Sequence, residues 1–215
     1  MTMAVEEERA EWTLALRQVF QDVQLQAVEA SGYVRNPTAD LSHQRTLVPA
    51  VRRLNALFSD EVGDGKRGVA EEAFLLFLEE TWLAVARVLL AAKADVALQA
   101  VGAFMGEFLR HKSREPKGKS ELRAELLQRL AHATQAEDRG VRLRACHMLQ
   151  LVVDRLDGVE KEQATMLREA LLRRLRDKLT AVRIQSVYGL KTLQGEEEDA
   201  VAVELRKLMV SDPSK

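Results

Sequence analysis

Apolar residues recur along this chain at three- and four-residue steps, and the runs they form predict a succession of helices. Trp12, Leu16, Val19, Phe20 and Val23 mark the first, from Arg9 to about Ala30, closed by Gly32 and Asn36-Pro37. Leu47, Val51, Leu54, Leu57 and Phe58 mark a second, from Ser42 to Phe58, after which Gly63, Gly65 and Gly68 open a loop. A long apolar segment, Val69 to Ala92, precedes a helix that opens at Asp95 and carries Val96, Val101, Phe104, Met105 and Phe108; these two are expected to pair as a hairpin. Residues Arg110 to Lys119 are basic, contain Pro116 and Gly118, and have almost no apolar content, so the pattern breaks there. Beyond the break the expected helices are shorter and regular: Glu121 to Ala133, Val141 to Leu156, Gln163 to Lys178, Val182 to Leu193 and Asp199 to Val210.

Within that regular part a motif repeats. Val141-Arg142 and Val182-Arg183 both open an apolar helical run, and they stand 41 residues apart, a spacing typical of HEAT and armadillo repeats. One antiparallel helix pair cannot hide its apolar face, so successive pairs stack and share a continuous core. The expected fold is therefore all-α, a HEAT-repeat alpha-solenoid: a superhelix of antiparallel helix pairs. Residues 1–111 would hold N-terminal helices and first divergent repeats, 112–120 a basic loop, and 121–215 regular repeats truncated at the C-terminus. Ser211-Asp212-Pro213 resembles the turn before another helix, and no further helix follows it in the sequence. An acid precedes each second helix, Asp138 or Asp177, and is placed to interact with that helix's first turn. Arg142 and Arg183 are placed to reach a neighbouring repeat's turn and form a ladder.

Composition narrows the chemistry. The 215 residues are 47% hydrophobic and only 5% aromatic, with 32 basic side chains against 33 acidic, so bulk charge does not announce a nucleic-acid binder. The longest apolar stretch, Trp82 to Ala92, is short for a membrane span and contains Arg87, and Glu6, Glu7 and Glu8 stand where a signal peptide would be basic. The expectation is a soluble intracellular chain. A lone Cys146 rules out an internal disulfide framework. Gly63-Asp64-Gly65-Lys66 lacks the upstream glycine and the Ser or Thr of a phosphate loop. Cys146 and His147 are adjacent, hence about 100° apart on a helix, and His43, His111 and His132 have no metal-ligand spacing. Glu79-Glu80 have no identifiable catalytic partner, and Trp12 and Trp82 fall in core-type patterns. No enzyme, cofactor or small-molecule substrate is expected.

Two stretches carry a family resemblance. Arg174-Leu175-Arg176-Asp177-Lys178 leads into Val182-Arg183-Ile184-Gln185-Ser186, and the preceding repeat reads Val141-Arg142-Leu143-Arg144-Ala145-Cys146. In order and spacing these resemble the G-type HEAT-repeat subunits of condensin, where a helix ending in Arg-Leu-Lys/Arg-Asp-Lys runs into Val-Arg-Ile-Gln-Ala and the earlier repeat reads Val-Arg-Phe-Arg-Val-Cys. Ser186 replaces the family's usual Ala. The likeness is strongest from Gly140 to Leu193 and extends back to about Val69.

The resemblance implies a non-catalytic subunit that binds double-stranded DNA together with the condensin kleisin subunit and, through it, joins the SMC ATPase subunits in mitotic chromosome condensation. It implies the nucleus and chromosome, with the cytoplasm in part of the cell cycle. Local charge agrees: between Arg139 and Lys191 there are twelve basic residues against six acidic. Candidate phosphate contacts are Arg173, Arg174, Arg176 and Lys178 at one helix end, together with Arg183 and Arg142, and Lys112, Lys117 and Lys119 in the basic loop. For Arg142 and Arg183 spacing alone favours the inter-repeat ladder over a phosphate contact, and for the loop it favours a solvated connector. The competing class is a protein-interaction scaffold, of the transport-adaptor or phosphatase type, that does not bind DNA. A HEAT-like lyase would need an acid/base site that the sequence does not supply.

Overall fold

The computed structural model describes residues 2–33, 39–59, 69–91, 95–110, 118–193, 202–203 and 205–207. Among them the periodic runs form eight helices and no strand: α1 (Thr2–Tyr33), α2 (Ala39–Phe58), α3 (Val69–Leu90), α4 (Asp95–Leu109), α5 (Lys119–Ala133), α6 (Arg139–Val153), α7 (Lys161–Arg174) and α8 (Thr180–Thr192). Residues 202–203 and 205–207 are helical, within the run expected at 199–210. The glycine-rich stretch Gly63-Asp64-Gly65-Lys66, the loop residues Lys112 and Lys117, and Glu196 to Asp199 lie outside the described residues.

From α3 onward the helices form two parallel rows. α3 packs on α5 and α5 on α7, making the first row; α4 packs on α6 and α6 on α8, making the second. The pairs α3–α4, α5–α6 and α7–α8 each bridge the rows, so the stack is three helix pairs deep. α1 and α2 close one end, packing on each other and on α4. α3 and α4, expected to pair as a hairpin, are in contact.

Two kinds of core fill the stack. Around α1 to α4 it is aromatic: the Phe77 ring lies 5.0 Å from Phe58, 5.7 Å from Trp12 and 6.2 Å from Phe108, while Phe20 meets Phe104 edge-on at 5.3 Å. Between α5 and α8 it is aliphatic, with Leu126, Leu127, Met148, Leu149, Val152, Leu167 and Leu171 all buried. Polar clamps add direction to this apolar contact. Arg17 of α1 donates twice to Glu80 of α3, at 2.8 and 2.7 Å, and Arg53 of α2 donates to Asp22 of α1 at 2.7 Å.

The helix boundaries show where local chemistry overrides periodicity. Asp138 accepts the Val141 N–H at 2.8 Å, which starts α6 at Arg139, two residues before the apolar run. α5 also starts early, at Lys119. Gly118 sits at φ 82°, a left-handed conformation that glycine alone adopts without strain, and the turn points Lys119 inward. α7 stops at Arg174, four residues short of expectation, because Leu175 and Leu179 continue the apolar pattern while already in the following turn.

Close approach of α4 and α6 depends on small side chains. A Cβ at Gly102 would lie 2.8 Å from Leu151 Cδ1 and 2.9 Å from its Cβ, and one at Gly106 would lie 2.8 Å from the Arg155 Cβ. Glycine inside a helix ordinarily costs about 1 kcal/mol relative to alanine, yet here the overlap reverses the sign. Gly102→Ala is expected to destabilise the fold by about 1–3 kcal/mol, read as a lower denaturation midpoint. Gly158→Ala, whose Cβ meets nothing within 4 Å, should stay within about 0.5 kcal/mol of the parent; equal midpoints for the two variants would contradict this packing.

Candidate nucleic-acid interface at the repeat turns

The turn joining α7 to α8 is built on one carboxylate. Asp177, with its side chain 3% exposed, receives Arg142 of the preceding repeat in a forked contact, Nε to Oδ2 at 2.8 Å and Nη2 to Oδ1 at 3.3 Å. Arg174, from the end of α7, donates to Oδ2 at 3.3 Å, and the Leu179 N–H donates to Oδ1 at 3.0 Å. The remaining Arg142 nitrogen, Nη1, donates to the carbonyls of Ala136 and Glu137 at 3.0 and 2.7 Å, tying down the α5–α6 turn. Arg142 therefore holds two consecutive turns at once. Arg183 repeats the inward half of that arrangement, donating to the Asp177 carbonyl at 3.0 Å and to Thr180 Oγ1 at 3.2 Å.

The electrostatics follow from these contacts. Burial pushes the Asp177 carboxyl up, but the Arg142 hydrogen bond, the Leu179 N–H and the charges of Arg142 and Arg174 together outweigh it, and the group sits below the usual aspartate range. Asp138 is lowered chiefly by the Val141 N–H. Burial drives the Cys146 thiol up to about 11, which makes it a packed side chain and a poor nucleophile. His147 is held below the usual histidine value by burial.

Two further arginines bridge elements through backbone carbonyls. Arg144 Nε donates to the Leu89 carbonyl at 2.5 Å, and the buried Arg123 donates to the Leu109 carbonyl at 3.1 Å. Each closes the C-terminal end of a neighbouring helix, where unpaired carbonyls and the helix dipole favour a cation. Nothing in the order of residues marks these partners, because a backbone carbonyl has no residue identity. Arg110, at the head of the basic loop, is engaged likewise with Asp157, 2.9 Å from Nε to either oxygen.

The candidate phosphate contacts consequently divide. Arg173, Arg176 and Lys178 are exposed beside the α7–α8 turn, and Arg139 is exposed at the neighbouring α5–α6 turn on the same edge. Arg173 is 59% exposed and has Glu169 at 3.8 Å, a loose surface pair. Arg142, Arg174 and Arg183 converge on Asp177 instead. Lys119 is 2% exposed: its ammonium lies 3.4 Å from the centre of the Phe108 ring, 5.5 Å from that of Phe58, and donates to Asn55 Oδ1 at 2.5 Å. It also opens α5 at the end opposite the α5–α6 turn, so Lys119 and the exposed Arg139 stand at opposite edges of the stack, about 22 Å apart by helix rise. Among the described residues no helix is long and apolar enough to cross a membrane, and no group of three or more His, Cys, Asp or Glu side chains could hold a metal ion.

No protein-family profile matches the chain. Over 92 residues, 41% of its length, it is 33% identical to condensin complex subunit 3 of Schizosaccharomyces pombe (strain 972 / ATCC 24843). The likeness is to condensin subunit 3. It spans 10% of that protein's length, so it describes one stretch of a much longer relative. The fold is also similar to a chain in the crystal structure of the S. pombe condensin Cnd3-Cnd2 subcomplex, with a TM-score of 0.53 and 23% identity, covering 75% of this chain and 22% of that one. The stacked helix pairs are thus a HEAT-repeat solenoid of the kind a condensin subunit uses.

Removing the Asp177 carboxylate strands two inward-facing guanidinium groups. Asp177→Ala is expected to cost about 2–3 kcal/mol, measured by urea denaturation at neutral pH. The sign of the acid response follows from the lowered carboxyl: its contribution is complete above the unfolded aspartate value of about 3.9 and is lost as pH falls toward the folded value. Below about pH 4 the gap between parent and Asp177→Ala should therefore narrow; a gap that stays constant or widens on acidification would contradict the assignment.

Proposed function

We propose that this solenoid is a non-catalytic HEAT-repeat element of a condensin-type complex, and that it holds duplex DNA by its backbone phosphates. The observation that carries the reading is the separation of charge at the α7–α8 turn. Its acid, Asp177, is buried under Arg142 and Arg174, while Arg173, Arg176 and Lys178 face solvent. A turn whose negative charge is internal and whose remaining cations are external presents net positive potential at short range, where phosphate would approach. Point charges on flexible stems neutralise phosphate without reading base edges, so binding would be independent of sequence.

The wider assignment draws on the likeness to condensin subunit 3. In this reading a kleisin-type subunit binds alongside, as the pairing in the Cnd3-Cnd2 subcomplex suggests. ATP turnover belongs to SMC subunits reached through it, and the protein works on chromosomes in the nucleus during mitosis. Arg142, Arg174 and Arg183 keep the turn in shape, and Arg173, Arg176 and Lys178 make the contacts. Lys112 and Lys117 would supply further phosphate contacts.

Replacing Arg176 and Lys178 together by glutamate leaves the buried lock untouched, so the melting curve should be preserved. Affinity for a labelled duplex should fall at least about tenfold, and the slope of log affinity against log salt should flatten by about 2, near 0.9 for each phosphate contact removed. Unchanged affinity and slope would defeat the DNA reading and leave the protein-binding scaffold standing.

A further inference from the structure

α6 and α8 occupy equivalent places in the second row but open on different residues. Counted by the 41-residue repeat, α6 begins at Arg139, beside the exposed carboxylate of Asp138, and α8 begins at Thr180. α8 itself, TAVRIQSVYGLKT, contains no acidic residue. Thr180 is exposed, and its Oγ1 accepts from Arg183 Nη2 at 3.2 Å. Other hydroxyls face acceptors or are out of reach. Ser120 and Thr192 donate to the carboxylates of Glu160 and Asp154, Thr165 donates to the Lys161 carbonyl, and Thr134 and Ser186 are buried.

Cations stand on both sides of the Thr180 hydroxyl. Arg176 and Lys178, both exposed, lie four and two residues before it, and Arg183 lies three after. Asp177, the one acid in that span, is turned in under Arg142 and Arg174 with its side chain 3% exposed. Leu179 leads into Thr180 through extended backbone, at φ −87° and ψ 115°. An acceptor hydroxyl with basic flanks suits the carboxylate-lined cleft of a kinase that selects them. The product would also be held where it forms. A phosphothreonine carries about −1.5 to −2 charges at neutral pH and three acceptor oxygens, and here it would meet a guanidinium that already reaches the hydroxyl.

We propose that Thr180 is a phosphorylation site that switches the α7–α8 turn. A serine/threonine kinase selective for basic flanks transfers the γ-phosphoryl group of a nucleoside triphosphate to Oγ1. The new O–P bond forms as the bond to the nucleoside diphosphate breaks, and the hydroxyl proton passes to a carboxylate of the kinase. The phosphothreonine then pairs with Arg183 and offsets the outward charge of Arg176 and Lys178. The resulting loss of duplex binding rests on the DNA reading; the modification and its pairing with Arg183 do not.

The test uses the full chain, ATP and a basophilic serine/threonine kinase, with a peptide of residues 174–185 as positive control and mass spectrometry as the readout. Thr180 should be phosphorylated in the folded chain, and Thr180→Ala should lose that phosphate. The phosphorylated chain should melt at least about 2 °C above the parent, an increment that should vanish on an Arg183→Ala background. Its duplex affinity should fall at least about tenfold and its salt slope flatten by about 2, whereas unmodified Thr180→Ala should bind as the parent does. The proposal is overturned if the peptide is phosphorylated and the folded chain is not, if the phosphate fails to raise the melting midpoint, or if the increment persists in Arg183→Ala. Undiminished affinity in a chain that binds duplex before modification overturns it too. Failure of the unmodified chain to bind duplex defeats the DNA reading instead, and the melting comparison still decides the modification.

Discussion

Helix pairs that share a core can slide and rotate against one another unless something directional fixes them, and here the directional element is the carboxylate of Asp177. It accepts from Arg142 one repeat earlier, from Arg174 on its own first helix and from the Leu179 amide that opens its second. Apolar burial along α6 and α8 supplies most of the attraction but is indifferent to register. A forked guanidinium contact in a nearly dry turn is not. The cost of drying the carboxylate is met by three donors at once, which is the condition under which a buried ion pair is tolerated.

That lock also explains how one short sequence serves two purposes. The run Arg173-Arg174-Leu175-Arg176-Asp177-Lys178 alternates between inward and outward positions as the chain leaves α7. Arg174 and Asp177 turn in and neutralise one another; Arg173, Arg176 and Lys178 turn out. The same constraint that holds the repeats in register thereby leaves a positive edge in solvent. The second structural use of arginine closes helix ends at Leu89 and Leu109, which buries Arg123 and half-buries Arg144. The count of basic residues between Arg139 and Lys191 includes Arg144.

Much of the architecture was legible because it is periodic. The helices follow from three- and four-residue apolar spacing, and the pairing of turns follows from the repeated acid and Val-Arg motif, so the Arg142 half of the expected ladder could be named in advance. Illegible features were those whose partner has no sequence signature. Lys119 reads as one more cation in a basic loop, yet two phenylalanines from α2 and α4 and an asparagine receive it. The end of α7 was hidden because Leu175 and Leu179 are apolar for the sake of the turn's own packing. In a segment as apolar as Val69–Leu90, exposed leucines cannot be told from buried ones until neighbouring helices are placed.

The central claim is that Arg142 and Asp177 act as one unit across two repeats. A double-mutant cycle measures this directly, comparing the stabilities of Arg142→Ala, Asp177→Ala and the combined variant with the parent. The account predicts a coupling of about 1–3 kcal/mol, with the double variant far less destabilised than the two single losses would imply. Additive losses, with coupling within about 0.3 kcal/mol of zero, would mean that the repeats are held in register by packing alone.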